Sequence, residues 1–328
     1  MQTSYIYSAS KVNTLSQFLL NKTDVERLLV AEPGEDLQSA LKETYLAPYI
    51  LHTPDENVPL AIEQTLQSAK KLIFRITPQG EMFRVLWAQY DVHNLRVFAK
   101  ASVAGFSYEQ CLPFVSERGI YASSYLYEHA QNNTLNRLQI GWQDAYSQAM
   151  QVAGSGDLQP LDGIFDALYF ATSKRLIEST GDAFMRTYLK TLIDLYNLKS
   201  KLRHLQHSSI SFNPNFIEGG TFGPDRIETL DQTIALFTRF GGEAYWESAI
   251  KLYQETGNST EIDARSADYL LIIAREGSYD MFSSASLVLY YLKCRQSAAN
   301  IRTIVVGKNS GLSADDIRNN LRLAYVND

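Results

Sequence analysis

One short pattern occurs three times in this chain, and its spacing narrows the fold before any composition is counted. Asp91-Val-His-Asn94-Leu95-Arg96, Asp194-Leu-Tyr-Asn197-Leu198-Lys199 and Ser297-Ala-Ala-Asn300-Ile301-Arg302 align on their asparagines, which stand 103 residues apart both times, 197 minus 94 and 300 minus 197. A leucine falls eight residues before each asparagine, as Leu86, Leu189 and Leu292. Apolar residues also recur nine and two residues before it and one and five after it: Val85, Val92, Leu95 and Ala99, then Tyr188, Leu195, Leu198 and Leu202, then Tyr291, Ala298, Ile301 and Val305. Steps of seven, three and four residues draw one stripe along an α-helix, so each copy presents the same face for burial. The third copy carries Ser297 where the first two carry an aspartate.

Further features keep the same order. A small residue, Gly105, Ser208 or Gly311, follows each asparagine by eleven positions and suits a helix end. A carboxylate, Glu63, Asp166 or Asp268, precedes it by 31 or 32. Apolar steps of four recur upstream as Leu37-Leu41-Tyr45, Leu138-Trp142-Tyr146 and Tyr245-Ala249-Tyr253, and Glu117-Arg-Gly119-Ile-Tyr121 parallels Glu218-Gly-Gly220-Thr-Phe222. These repeats divide the chain into three helical units, 1–112, 113–215 and 216–328.

Local signals agree on an all-α fold. Ile62, Leu66, Ala69, Ile73 and Ile76 step by three and four, whereas the alternation of a strand is not sustained anywhere. Helix starts are expected at Thr23 with Glu26, Ser107 with Gln110 and Ser313 with Asp316, where a side-chain oxygen can take up an orphan N–H. Breaks are expected at Pro33-Gly34, Pro54, Pro59, Pro78, Pro113, Gly154 to Gly156, Gly219-Gly220, Gly223-Pro224 and Gly241-Gly242.

Composition then excludes function classes. With 45% hydrophobic and 20% charged residues the chain is built to fold throughout. Its 30 Lys and Arg against 36 Asp and Glu leave a formal charge of -6 without a basic block, which disfavours a nucleic-acid partner. The best apolar runs, Tyr269 to Ala274 and Ser286 to Leu292, fall far short of the roughly 20 residues a membrane span needs. Cys111 and Cys294 read as reduced, buried thiols. The N-terminal Tyr5, Ile6 and Tyr7 do not build a signal peptide.

No catalytic, cofactor or metal residue is expected. Val306-Gly-Lys308-Asn309 lacks the flanking residues of a phosphate loop, Gly219-Gly-Thr-Phe-Gly223 lacks the order of a dinucleotide fingerprint, and neither a nucleophile elbow nor an E-x-x-H motif occurs. His204 and His207 sit three apart, yet no third metal ligand accompanies them. Asp315-Asp316 most simply favours the positive end of the last helix. The candidate residues are therefore the repeat signature itself: Asp91, Asn94, Arg96, Asp194, Asn197, Lys199, Asn300 and Arg302. Two readings stand. Each asparagine satisfies backbone or the preceding acid within its own unit, or the three face a common space and touch a partner.

The thrice-repeated signature, Trp87 to Gly105, Phe165 to Arg203 with Phe216-Ile-Glu-Gly-Gly-Thr-Phe222, and Tyr290 to Leu321, together with the opening Tyr5 to Leu20, resembles the C subunit of the archaeal and bacterial V-type (A-type) rotary ATPases, the counterpart of the d subunit in eukaryotic vacuolar pumps. The resemblance implies three helical units around a pseudo-threefold axis, forming a funnel. It implies a non-catalytic rotor part that joins the central shaft to the membrane proteolipid ring, on the cytoplasmic side and without a span of its own. In that role the protein passes torque between ATP turnover and the movement of protons or sodium ions. The alternative is a helical-repeat scaffold for an unrelated protein partner.

Overall fold

A computed structural model describes residues 5–53, 57–155, 159–206, 216–223 and 227–322. Among them every regular element is a helix. The α-helices, in chain order, are α1 Ile6–Ser16, α2 Lys22–Val30, α3 Glu35–Leu41, α4 Ala47–Ile50, α5 Val58–Ile76, α6 Val85–Val103, α7 Tyr108–Cys111, α8 Ser123–Gln131, α9 Trp142–Gly154, α10 Gln159–Glu178, α11 Ala183–Gln206, α12 Leu230–Phe237, α13 Glu243–Thr256, α14 Thr260–Gly277, α15 Ala285–Asn309 and α16 Ala314–Asn319. Pro54, Gly156, His207, Ser208 and Pro224 lie outside the described residues.

Two expected helix starts hold and one moves. Gln110 accepts the N–H of Ser107 at 2.8 Å ahead of α7, and Ser313 accepts that of Asp316 at 3.1 Å ahead of α16. At α2 the cap is Asn21, not Thr23. Asn21 Oδ1 accepts from the Asp24 N–H at 2.9 Å while Asp24 accepts from the Asn21 N–H at 3.2 Å, a reciprocal pair that leaves Thr23 inside the first turn. Pro59 likewise opens α5 and does not break it, because a residue in the first turn has no intrahelical N–H bond to lose. Gly105 and Gly311, the small residues after the first and third asparagines, both adopt φ +72°, the left-handed conformation that closes a helix at low cost in glycine.

The chain forms two compact units, one of Met1–Pro78 with Asp263–Asp328 and the other of Gln79–Ile262. In the first, α15 packs against α1 and α5, α4 lies on α5, and α16 lies on α2. Helix α15 is buried nearly all round, with Leu287, Val288, Tyr291, Cys294, Ala298, Ile301 and Ile304 under 5% exposed, which marks a core helix. The Ser8 hydroxyl donates to the carbonyl of Ile76 at 2.6 Å and ties α1 to the end of α5. In the second unit α6 packs against α8, α9 and α10, and α11 against α10 and α12. Val92, Leu95, Phe98, Trp142, Tyr146 and Phe165 share one core there, and the Trp142 indole N–H finds Thr172 Oγ1 at 2.9 Å.

These unit boundaries, after Pro78 and after Ile262, fall inside the first and third sequence repeats. The packing explains why. Each helix that carries a signature asparagine packs on helices of the following repeat, α6 on α8 to α10 and α11 on α12, and the last, α15, packs on α1 and α5 of the first. A unit that buries its apolar stripe against its successor cannot close a core alone.

Candidate functional site

The stripe that defines the repeat is a packing face. Val85, Leu86, Val92, Leu95 and Ala99 are buried, as are Tyr188, Leu189, Leu195, Leu198 and Leu202, and Tyr291, Leu292, Ala298 and Ile301; Val305 is half-buried. The asparagines beside it are buried too, at 0%, 0% and 2% exposure. A buried primary amide carries donors and an acceptor that must be met.

All three meet them in one way. Asn94 Nδ2 donates to the carbonyl of Ser116 at 2.8 Å, and the Ser116 N–H donates back to Asn94 Oδ1 at 2.8 Å. Asn197 makes the same pair with Ile217 at 2.8 and 2.9 Å. Asn300 makes it with Arg322 at 2.7 and 3.0 Å. The partner is always the N–H and C=O of a single residue 20 to 22 positions downstream, so each amide clasps one residue of a non-helical segment. In the first two copies the bonded residues, Asn94 with Ser116 and Asn197 with Ile217, lie on either side of the expected boundaries at 112/113 and 215/216.

An acid one helical turn earlier adds a second hold in those two copies. Asp91 accepts from the N–H of Ile120 at 2.7 Å and of Tyr121 at 3.1 Å. Asp194 accepts from the Thr221 N–H at 2.8 Å and the Thr221 hydroxyl at 2.6 Å. Burial pushes the Asp194 carboxyl above its ordinary pKa, and the bonds from Thr221 pull it part of the way back. The segment passes so close that only glycine fits. A Cβ on Gly119 would lie 2.2 Å from Asp91 Oδ1, and one on Gly220 would lie 2.0 Å from Asp194 Oδ1.

The cations of the signature do not share one environment. The Arg96 guanidinium meets Asp166 at 2.7 Å and Asp162 at 3.4 Å on α10, 6.0 Å from the Phe165 ring centroid, and the Tyr196 hydroxyl donates to the other Asp166 oxygen at 2.8 Å. Burial and that carboxylate together raise the Tyr196 phenol well above its usual pKa. Lys199 is half-buried and Arg302 is exposed. Asp166, noted in the sequence only for its distance from Asn197, is thus the partner of the preceding repeat's arginine.

The amides of Asn94, Asn197 and Asn300 and the carboxylates of Asp91 and Asp194 are engaged with the backbone of the connecting segments. Among the described residues no group of three His, Cys, Asp or Glu side chains is placed to hold a metal ion, and no helix is long and apolar enough to cross a membrane. His204 lies in the last turn of α11, and its expected companion His207 lies outside the described residues.

The profile of the ATP synthase (C/AC39) subunit family matches residues 9–320, almost the whole chain and all three clasping asparagines. The chain belongs to this family. This C/AC39 subunit is 21% identical over 313 residues to the V-type sodium ATPase C subunit of Enterococcus hirae, covering 94% of each chain. It is 24% identical over 212 residues to the A-type ATP synthase C subunit of Methanothermobacter thermautotrophicus, covering 61% of the chain and 54% of that relative. It is therefore a subunit of the V/A-type ATPase class, as the repeated signature suggested. What sequence reasoning missed in this C/AC39 subunit was the far half of each clasp, at Ser116, Ile217 and Arg322. The one signal for it was the parallel between Glu117-Arg-Gly119-Ile-Tyr121 and Glu218-Gly-Gly220-Thr-Phe222, which carries the two glycines.

Proposed function

We propose that this chain is the rotor-coupling subunit of a V/A-type ATPase, a non-catalytic element that joins the central shaft to the membrane proteolipid ring. The observation that carries this reading is the family match across residues 9–320, reinforced by an E. hirae relative aligned over 94% of its length. Torque passes between ATP turnover and ion movement through such a part only if it does not yield internally. The packing of each asparagine helix on the following repeat, with the last packed on the first, is what that demand asks for. The pseudo-threefold arrangement of units 1–112, 113–215 and 216–328 belongs to this proposal, with the signature residues Asp91, Asn94, Asp194, Asn197 and Asn300 as its internal fastenings and Arg96, Lys199 and Arg302 beside them.

On this reading the protein is peripheral, on the cytoplasmic side, and is held by protein contacts at both ends. Its contact with the short loops of the proteolipid ring is part polar, as is usual at the rim of an interface between proteins that fold separately. The test is association. Membranes of the source organism, washed with a mild chaotrope and no detergent, should release the chain together with the shaft, and the purified chain should rebind isolated shaft and detergent-solubilised ring. Failure to bind either, or insertion of the chain into protein-free liposomes, contradicts the proposal.

A further inference from the structure

A cavity of about 350 Å³ opens into the first compact unit where α1, α4, α5 and α15 come together. Its floor belongs to the core: Leu19, Ala69, Tyr290 and Cys294 are all buried. Its rim is open to solvent, with Phe18 and Pro48 both exposed. The volume falls within the range of small-molecule sites, roughly 300 to 1,000 Å³, which form readily between the helices of a bundle. It is also more than twice the roughly 150 Å³ of an apolar cavity that holds benzene, so two fused rings have room.

The lining decides what kind of molecule fits. Of the described residues that form it, none is Lys, Arg, His, Asp or Glu. The ionisable groups on the floor are neutral near pH 7: burial pushes the Cys294 thiol up to about 12, and burial together with that thiol raises the Tyr290 phenol well above its usual pKa. A charge brought into such a site would lose its water and gain no partner. Phe18, Tyr49 and Tyr290 give the walls aromatic surface, against which another ring packs edge-to-face or offset. Polar groups are few and graded with depth. The buried Thr65 hydroxyl already donates to the Ala61 carbonyl at 2.9 Å, whereas Ser68 and Tyr49, which carry hydroxyls nearer the rim, are half-buried.

We propose that this cavity is a binding site for a neutral, two-ring aromatic molecule bearing one hydroxyl, with the rings over Ala69 and Tyr290 and the hydroxyl turned outward to Ser68 and Tyr49. The site lies within one compact unit and stands apart from the coupling reading.

Calorimetric titration of the full chain with 2-naphthol tests it. One molecule should bind per chain, saturably. Naphthalene-2-sulfonate, which keeps the rings and adds a charge, should bind at least about tenfold more weakly, because the lining cannot pair it. 1-Decanol, with the same number of carbons and one hydroxyl but no ring, should also bind more weakly. Ala69→Phe fills the floor and should weaken 2-naphthol at least about tenfold. If that variant does not fold, Ser68→Trp fills the cavity from a half-buried position and should do the same. Absence of saturable heat with 2-naphthol overturns the proposal, as does unchanged affinity in the filled variant. Equal affinity for the sulfonate contradicts a neutral site, and equal affinity for 1-decanol contradicts an aromatic one.

Discussion

Asn197 and Ile217 exchange two hydrogen bonds, amide to carbonyl at 2.8 Å and N–H to amide oxygen at 2.9 Å, with both residues buried. The side chain thereby stands in for a strand: it offers one donor and one acceptor to a residue whose backbone has no helical partner. Without it, a buried N–H and a buried C=O would go unmet, and a buried group left so costs about 1 to 3 kcal/mol. Asn197→Leu, which keeps the branched four-atom side-chain skeleton and removes its donors and acceptor, should lower the unfolding free energy in urea by at least about that amount, with an unchanged slope on denaturant. Unaltered stability combined with lost partner binding would instead place the asparagine at an interface.

The glycines give a steric test with an internal control. At Gly220 an alanine methyl would collide with Asp194 Oδ1, yet at Gly223, three residues on, it would meet nothing within 4 Å. Neither backbone is in the left-handed region, so the comparison isolates space from conformation. Gly220→Ala should destabilise the chain by roughly 1 to 3 kcal/mol, as overpacking does, while Gly223→Ala stays within about 0.5 kcal/mol of the parent. Thermal unfolding of the two variants side by side decides it.

Arg96 and Asp166 form a partly buried pair, with side chains 27% and 32% exposed, across α6 and α10. Such a pair contributes modestly, so a double-mutant cycle with Arg96→Met and Asp166→Asn should return a coupling of about 0.5 to 1 kcal/mol that shrinks in high salt. Tyr196 also donates to Asp166, so Tyr196→Phe should reduce the loss caused by Asp166→Asn. Strict additivity of the two losses would show that the contact carries no energy.

The parts of this fold that sequence reasoning reached are those with a side-chain period. The stripe from Val85 to Ala99 and its two echoes announced buried helices, and they are α6, α11 and α15. The clasp was half legible, because Asn94, Asn197 and Asn300 recur as residue types, whereas their partners are main-chain groups that any residue supplies: a serine, an isoleucine and an arginine. The Asn21 cap was missed for a related reason, since Asn21 and Thr23 are both good capping residues and only the reciprocal Asp24 bond chooses between them. The compact units were the least legible. They follow from which helix buries which stripe, and a stripe does not name the face that covers it.

The sequence lacks a phosphate loop, and the buried polar groups of the clasps are already engaged with backbone. Titration of the purified chain with Mg-ATP should accordingly give no saturable heat. A micromolar site would assign the protein a nucleotide-binding role that the coupling account does not contain.

The coupling role itself is tested most directly by removal and return. Inverted membrane vesicles of the source organism, stripped of this chain and then refitted with the remaining soluble parts of the ATPase, should hydrolyse ATP and yet fail to accumulate ions; adding the purified chain back should restore ATP-driven uptake, and Asn197→Leu chain should restore less. Ion uptake that runs at the same rate per ATP with and without the chain would contradict the account.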